Sequence, residues 1–325
     1  MSARGKRVLV TGITGQDGSY LAERLVADGH HVIGVVRAPL ERELPDLARV
    51  RAELELVAGD LSDPEALGDV VRAAKPDLVY HLAAPTFVPA SWEAPATTMK
   101  EIVDATAAVL IAGRDLGARV LVPTSPEIYG YAGGESPQTE RSVRLPRSPY
   151  GVAKLAAHEL VRVLREGADP VHAVATVTYN HESPRRPVRF VTRKITRAAA
   201  EISLGRAKSV SLGSLDAQRD WSHARDIVDG MVRALEHDTP DDYVLASGEA
   251  RTVGDFARAA FAAVGLDADE FVTVNPEFVR PPEPTVLVGD PSHARKVLGW
   301  RPTTTFEGLV AEMVEADLAE LRAGR

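Results

Sequence analysis

The sequence predicts an α/β fold in which a doubly wound parallel sheet is followed by a smaller C-terminal domain. Short apolar runs alternate with longer amphipathic stretches between Arg7 and Tyr179. A glycine-rich loop follows the first apolar run, and the chain beyond Tyr179 is richer in proline and turn residues. Open α/β sheets bind their ligands at the carboxyl ends of the strands, so we expect the functional residues at that edge.

The alternation assigns one element after another along the first half of the chain. The expected domains are residues 1–179, to which a later segment of about 221–262 returns, and residues 180–325. The segment Asn180–Pro187 has too little periodicity for a helix, and we expect a loop there. The expected strands are Arg7–Thr11, His31–Val36, Leu54–Ala58, Asp77–Leu82, Arg119–Pro123, Val171–Tyr179 and Tyr243–Ala246, and the main helices are Glu65–Ala74, Pro95–Leu116, Tyr150–Arg165 and Thr252–Val264.

The first strand leads into a loop that is suited to phosphate. Gly12, Gly15 and Gly18 are spaced Gly-x-x-Gly-x-x-Gly, and helical spacing of apolar residues follows. Glycines let the backbone approach a pyrophosphate, and the next helix offers free N–H groups and the positive end of its dipole. The pattern indicates a Rossmann-type dinucleotide fold. Arg37 follows the second strand, where an arginine suits the 2′-phosphate of NADP better than the ribose of NAD.

Composition excludes several classes of function. The 325 residues carry a net charge of −8 and no cysteine. An acidic chain does not favour nucleic acid or an anionic membrane, and without cysteine there is no disulfide or thiolate nucleophile. The histidines lack metal-ligand spacing, so we expect no metal site. No apolar run is long enough for a signal segment or a membrane span, and we expect a cytoplasmic protein.

Four proton-handling side chains point to catalysis. Ser125 and Glu127 follow the fifth strand, and Tyr150 and Lys154 lie four residues apart in the next helix. Residues at that spacing share a helix face, with roughly 5–6 Å between Cβ atoms. We therefore expect Lys154 to lower the pKa of Tyr150 from about 10 and make it a general acid or base. Ser125 is expected to hydrogen-bond a substrate oxygen, and Glu127 to be a second base.

Five stretches resemble the GDP-mannose 4,6-dehydratases of the extended short-chain dehydrogenase/reductase superfamily. The Asn-His-Glu-Ser-Pro-Arg-Arg run is among the more specific of these, and the resemblance extends over nearly the whole chain. The resemblance implies a nucleotide-sugar 4,6-dehydratase with bound NADP, the alternative being NAD, and a GDP-linked manno sugar as substrate. The stretches are Thr11–Glu23, Asn180–Arg186, Phe190–Ile195, Leu212–Asp226 and Gly289–Trp300.

The resemblance also implies a role for individual residues. In such enzymes the tyrosine (here Tyr150) takes the C4 hydroxyl proton as hydride leaves C4, the glutamate (Glu127) takes the C5 proton, water leaves C6 and hydride returns there. Ser125 would polarise the C4 oxygen, and Lys154 would tune Tyr150. The implied cofactor site comprises Gly12, Thr14, Gly15, Gln16, Asp17, Arg37, Asp60, Leu61, Leu82, Ala83, Ala84, Thr86, Tyr150, Lys154, His181 and Arg186. The implied substrate-binding residues of the C-terminal substrate-binding domain are Asn180, Val191, Lys194, Gly213, Arg219, Arg280 and Glu283.

Departures from the family pattern leave alternatives open. The family has Thr-Ser-Glu where this chain has Ser125-Pro126-Glu127, and Gln-Ser-His-Val where it has Pro85-Thr86-Phe87-Val88. The alternatives are a GDP-sugar epimerase or reductase, a dehydratase for a GDP-manno-heptose, and a non-catalytic nucleotide-binding protein. A homo-oligomer is expected. In the family the loop after the second strand builds the tetramer contact, and this loop is short here. We therefore expect a homodimer at least as readily as a homotetramer.

Overall fold

The computed structural model describes residues 5–40, 43–130, 136–278 and 286–324. A seven-stranded sheet lies at the centre, and all of its neighbouring strands run parallel. The strands are β1 (Arg7–Thr11), β2 (His31–Val36), β3 (Leu54–Ala58), β4 (Leu78–His81), β5 (Arg119–Thr124), β6 (Ala173–Thr178), β7 (Asn180–Glu182), β8 (Val210–Leu212), β9 (Gln218–His223), β10 (Asp242–Leu245), β11 (Ala250–Thr252) and β12 (Val272–Val274).

The helices alternate with the strands through the first half of the chain and dominate the second. They are α1 (Gln16–Ala27), α2 (Pro64–Ala74), α3 (Ala90–Glu93), α4 (Pro95–Met99), α5 (Ala105–Leu116), α6 (Pro149–Glu166), α7 (Val191–Ser203), α8 (Ala224–Glu236), α9 (Val253–Ala262), α10 (Ala268–Phe271), α11 (Ser292–Leu298) and α12 (Phe306–Arg322).

The order of the central strands is β10-β6-β5-β4-β1-β2-β3. The chain starts in the middle, moves outward through β2 and β3, and returns to the other side of β1 with β4. This reversal creates the crevice at which doubly wound sheets bind nucleotides. The predicted fold class is confirmed. The prediction was possible because strands that are buried on both faces have short continuous apolar sequences.

Two differences from the expected elements have clear causes. Asn180–Glu182, expected as a loop, forms β7 and pairs with β9 in a three-stranded sheet. Its polar residues carry no strand pattern of their own, so the partner strand determines the conformation. The expected Pro95–Leu116 helix is interrupted by a π-helical turn at Lys100–Asp104, a feature that one-residue bulges produce inside helices.

Apolar clusters lie on both faces of the sheet, and a third lies beyond it. One layer packs α1 and α8 on the sheet through buried residues such as Leu21 and Ile227. The other packs α2, α5 and α6 through residues such as Val109. The third cluster joins α7, α9 and α12 around Trp221 and Phe256. Strand β10 belongs to the central sheet, whereas α9 packs in the third cluster, and the domain boundaries stay a prediction.

Within the described ranges, no helix is both long and apolar enough to cross a membrane. The same residues contain no cluster of three or more His, Asp or Glu side chains that could hold a metal ion.

Candidate active site

The predicted catalytic residues meet where β5 ends and α6 begins. Ser125 directly follows β5 in an extended conformation, and a 3-10 turn carries Glu127 next to it. Ser148 caps α6 by accepting a hydrogen bond from the Gly151 N–H at 3.0 Å. Serine before a first-turn proline is a strong helix start, and Tyr150 therefore lies in the first turn of α6.

Tyr150 is buried, and its proton affinity differs from the expected one. Burial, with a smaller contribution from the charge of Glu127, raises the pKa of Tyr150 to about 12. The hydrogen bond with Ser125 and the charge of Arg186 lower it, while Lys154 makes no resolved contribution. The expectation that Lys154 brings this pKa down is therefore wrong for the protein alone, because desolvation of the phenolate outweighs the nearby cations.

A backbone contact fixes the side chain of Lys154. Its Nζ donates to the Pro123 carbonyl oxygen at 3.0 Å and lies 6.0 Å from the centre of the Tyr150 ring. Burial lowers the pKa of Lys154 to about 8. The ammonium is thus fixed on β5, close to the reacting region, and it titrates near neutral pH.

The structure adds residues that the sequence reasoning missed. Ser148 Oγ donates to Glu127 Oε2 at 3.4 Å, so the helix cap also orients the predicted second base. His81 is buried at the end of β4, where burial and the charge of Lys154 lower its pKa to about 3. Thr11 Oγ1 lies 2.9 Å from His81 Nδ1 and accepts the Ala83 N–H at 3.1 Å. The Ser148-Pro149 pair is a sequence signal for a helix start, but no local sequence pattern identifies His81.

The glycine loop fits a dinucleotide pyrophosphate. Gly12 has φ +69°, and a Cβ there would lie 2.8 Å from the Ala83 backbone nitrogen, so only glycine permits this approach of β1 to β4. Gly15 caps α1 without a side-chain hydrogen bond in the described structure, and its own Cβ position meets no neighbour closer than 3.3 Å. The first N–H groups of α1 are therefore open to an anion beside Thr14.

A partly buried ion pair joins this loop to the segment after β6. His181 Nε2 lies 2.8 Å from Asp17 Oδ2, and His181 Nδ1 lies 2.6 Å from the Tyr179 carbonyl oxygen. Gln16 Nε2 donates to the His181 carbonyl oxygen at 3.0 Å, and Ser183 donates to Gln16 at 2.8 Å. The glycine loop and the Asn-His-Glu-Ser motif, far apart in sequence, are therefore joined by an ion pair and by hydrogen bonds.

The ionisation of this pair follows from its contacts. Burial acts against the charge of Asp17, but the charge and hydrogen bond of His181, with the charge of Arg186, leave its pKa below the usual value. Burial also acts against the charge of His181, but the charge and hydrogen bond of Asp17 leave its pKa above the usual value. Arg186 is held in turn by Glu182, 3.1 Å away, and stacks on the Phe190 ring at 3.7 Å.

The other expected cofactor residues line the strand ends. Arg37 is exposed just after β2, and Asp60 follows β3, where the N–H of Ser62 lowers its pKa. Ala84 packs against the Tyr150 cluster, and Thr86 is exposed. Leu61 and Leu82 are partly buried against the two sheet layers.

The expected substrate residues lie around β7, β8, β9 and the start of α7. Lys194 Nζ donates to the Ser211 carbonyl oxygen at 2.7 Å and lies 5.0 Å from the Phe278 ring. Gly213 lets Phe278 approach, since a Cβ there would lie 2.5 Å from the Phe278 carbonyl oxygen. Asn180 is half-buried in β7, Val191 is exposed at the start of α7, and Arg219 lies in β9. Arg280 and Glu283 lie outside the described residues.

The fold and the site together define a class of enzyme. A parallel sheet with a glycine loop after β1, a serine at the end of β5 and a Tyr-x-x-x-Lys pair on α6 is the arrangement of an extended short-chain dehydrogenase/reductase.

Comparison with known proteins identifies the family. The model of the GDP-mannose 4,6 dehydratase family matches residues 9–313. The GDP-mannose 4,6-dehydratase of Sinorhizobium fredii (strain HH103) is 40% identical over 348 residues, which cover 98% of this chain and 99% of that protein. The human GDP-mannose 4,6 dehydratase is 37% identical over 343 residues, covering 97% of this chain and 92% of that protein. The chain belongs to the GDP-mannose 4,6-dehydratase family.

Solved structures show the same fold. The structure of RMD from Pseudomonas aeruginosa complexed with NADPH has a TM-score of 0.81 and 24% sequence identity to this chain, covering 97% of this chain and 99% of that one. The solved neighbours include complexes with NADPH and with NAD.

The ion pair between Asp17 and His181 predicts a pH dependence of stability. The depressed pKa of Asp17 contributes stability above its unfolded value of about 3.9, and the raised pKa of His181 contributes below its unfolded value of about 6.5. The contribution is lost as pH rises through the folded pKa of His181. The melting temperature of a His181→Asn variant should therefore fall furthest below that of the native protein between about pH 4 and 6.5. Asp17→Asn should show the same window, and a deficit that stays constant up to alkaline pH would contradict the charged pair.

Proposed function

We propose that this protein is a nucleotide-sugar 4,6-dehydratase that converts GDP-mannose, or a close GDP-manno sugar, to the 4-keto-6-deoxy sugar. The observation that carries the proposal is the placement of a second base, Glu127, beside the Ser125–Tyr150 pair. Oxidation and reduction at C4 need only one proton acceptor. Elimination of water across C5 and C6 needs another, and Glu127 supplies it.

In this mechanism Ser125 and Tyr150 act on the C4 hydroxyl. Ser125 holds the C4 oxygen by a hydrogen bond, and Tyr150 takes the hydroxyl proton. A bound nicotinamide dinucleotide would accept the hydride from C4 and return it at C6. The pKa of Tyr150, raised to about 12 by burial, makes its phenolate a strong base, and Ser125 and Arg186 make it easier to form.

Glu127 and Tyr150 are coupled, which favours an order of proton transfers. The charge of Glu127 disfavours the Tyr150 phenolate, and by reciprocity a phenolate disfavours the carboxylate. Once Tyr150 has taken the C4 proton, it is neutral and Glu127 is freer to act as a base. The resulting ketone acidifies C5, and Glu127, oriented by Ser148, takes that proton. The C6 hydroxyl leaves as water with the proton that Tyr150 took from the C4 hydroxyl, and Glu127 returns its proton to C5 when hydride returns to C6.

The expected substrate residues suit a nucleoside diphosphate. We assign the sugar nucleotide to Asn180, Val191, Lys194, Gly213 and Arg219, with Arg280 and Glu283. In this assignment residues 1–179 hold the cofactor, and residues 180–325 supply most of the substrate contacts. Lys194 is the cation we assign to phosphate, since its Nζ is already ordered by the Ser211 carbonyl.

A GDP-sugar epimerase or reductase is the second candidate, and Pro126 favours it. Pro126 removes a backbone N–H beside the predicted C6 region and replaces a polar residue of the family pattern. A reductase consumes one nicotinamide per product, whereas a dehydratase returns its cofactor unchanged. Counting reduced cofactor against product separates a reductase from the dehydratase, and the mass of the product separates an epimerase, since epimerisation loses no water.

Replacement of Glu127 tests the dehydration directly. Glu127→Gln keeps the size of the side chain but removes the base, so kcat for loss of water from GDP-mannose should fall about 10²- to 10⁴-fold. GDP affinity, measured by calorimetry, should stay within about twofold, because the base acts on the sugar. A Glu127→Gln protein that dehydrates the substrate at the native rate would refute the role of Glu127.

We propose NADP as the cofactor, and Arg37 as the group that selects it over NAD. The exposed guanidinium follows β2, the position that meets the 2′ substituent of the adenosine ribose. A charge-assisted contact to phosphate contributes about 1.5–3 kcal/mol.

Arg37→Ala should therefore weaken NADP binding about 10- to 100-fold and leave NAD binding unchanged. Arg49→Ala, a change of another exposed arginine in the segment between β2 and β3, is the matched control and should alter neither. Equal weakening of both cofactors, measured by fluorescence titration, would contradict the selection by Arg37.

We also propose a homo-oligomer, a homodimer or a homotetramer. Trp92 on α3, Ile111 on α5, and Val152 and Val163 on α6 are large apolar side chains that are 38% to 64% exposed. Apolar groups on adjoining helices favour association with a second copy. Sedimentation velocity should show a dimer or larger species at micromolar concentration, and a monomer alone would oppose this.

A further inference from the structure

Helix α6 presents three polar side chains to strand β5 along one stripe. Tyr150, Lys154 and His158 are spaced four residues apart, so they lie one above another on the same face of the helix. All three are buried, and His158 has no exposed surface. The first two belong to the site already described. His158 has no part in the proposed chemistry.

Each member of the stripe contacts one of three consecutive residues of the chain at the end of β5. Lys154 Nζ donates to the Pro123 carbonyl oxygen at 3.0 Å. His158 Nδ1 lies 3.4 Å from Thr124 Oγ1. Tyr150 is hydrogen-bonded to Ser125. The contact of His158 therefore lies directly beside those of the two catalytic side chains.

A carboxylate on another strand holds the far side of the imidazole. His158 Nε2 lies 3.1 Å from Asp242 Oδ2, and Asp242 Oδ1 accepts from Arg165 Nη1 at 2.9 Å. Asp242 is 8% exposed and lies in β10, at the edge of the central sheet. The ring is thus fixed from both sides, between the edge strand and the strand that carries Ser125.

Thr124 is fixed by further bonds. Its Oγ1 lies 3.3 Å from the Thr176 carbonyl oxygen on β6, and its own carbonyl oxygen accepts from Thr178 Oγ1 at 3.0 Å. A buried polar chain of this kind is directional, and it specifies one arrangement of the elements that it joins.

We propose that His158, held by Asp242 and bonded to Thr124, is a positioning residue that fixes the register of α6 on β5. In that register Tyr150 reaches Ser125, and Lys154 reaches the Pro123 carbonyl. The proposal rests on the dehydratase activity proposed above, because its kinetic consequence is a change in that reaction. Misplacing a reacting group by about 1 Å can lower the rate about 100-fold.

A merely structural role predicts a different result. An apolar side chain of similar size can replace a buried polar pair with little loss of stability. If His158 only fills space, a change that removes its bonds while preserving volume leaves kcat intact. If it positions the helix, the same change lowers kcat although the protein remains folded and binds GDP.

The test uses two isosteric changes on neighbouring strands. Thr124→Val removes the hydroxyl that meets His158. Thr176→Val is the matched control, because Thr176 Oγ1 is buried and has no hydrogen-bond partner in the described structure. We expect Thr124→Val to lower kcat for GDP-mannose at least about 10-fold, with KM within about twofold, and Thr176→Val to keep the native kcat. The pH at which kcat falls should shift in Thr124→Val and not in Thr176→Val, since only the first change alters the contacts of Tyr150.

His158→Phe provides a second variant and a test of coupling. It should lower kcat as Thr124→Val does, and the double variant should be no slower than the slower single one. Amide hydrogen exchange in the first two turns of α6 should accelerate in both single variants and not in Thr176→Val. This readout needs no turnover, so it tests the positioning even if the native protein does not dehydrate GDP-mannose, a result that would refute only the proposed function. Native kcat and native exchange in Thr124→Val and His158→Phe would overturn the positioning role.

Discussion

The site depends on the close approach of helix α6 to the end of strand β5. Gly151 makes this approach feasible, because a Cβ at that position would lie 2.7 Å from the Glu127 carbonyl oxygen. With the helix so close, Tyr150 and Lys154 are buried and acquire their altered pKa values. The burial is costly for both groups, and the hydrogen bonds to Ser125 and to the Pro123 carbonyl partly offset the cost.

A second constraint ties the cofactor loop to the substrate side. The Asp17–His181 pair joins the glycine loop after β1 to the segment that contains β7. That segment continues to Arg186, whose charge acts on Asp17, His181 and Tyr150. The two halves of the proposed site are therefore connected electrostatically as well as by the sheet. The arrangement explains why a family-specific motif lies so far in sequence from the catalytic residues.

The sequence predicted the central fold well, for a physical reason. Strands such as His31–Val36 and Leu54–Ala58 agree with the structure at both ends, because each is an apolar run bounded by turn residues. The candidate catalytic positions were proposed from a strand end and an i,i+4 pair, and the structure places them together. The short strand β7 was not, because its pairing with β9 is tertiary. The high pKa of Tyr150 and the partner of Lys154 were also not readable, since both depend on burial and on a backbone carbonyl that spacing does not reveal.

The most direct test of the proposed dehydratase activity is to incubate the protein with GDP-mannose in deuterium oxide and analyse the product by NMR and mass spectrometry. We expect loss of one water, a 4-keto-6-deoxy sugar with deuterium at C5, and no net change in the nicotinamide cofactor. Deuterium enters because Glu127 exchanges its proton with solvent between taking it from C5 and giving it back. A product that retains the C6 oxygen, or formation that consumes reduced cofactor, would contradict the dehydratase assignment.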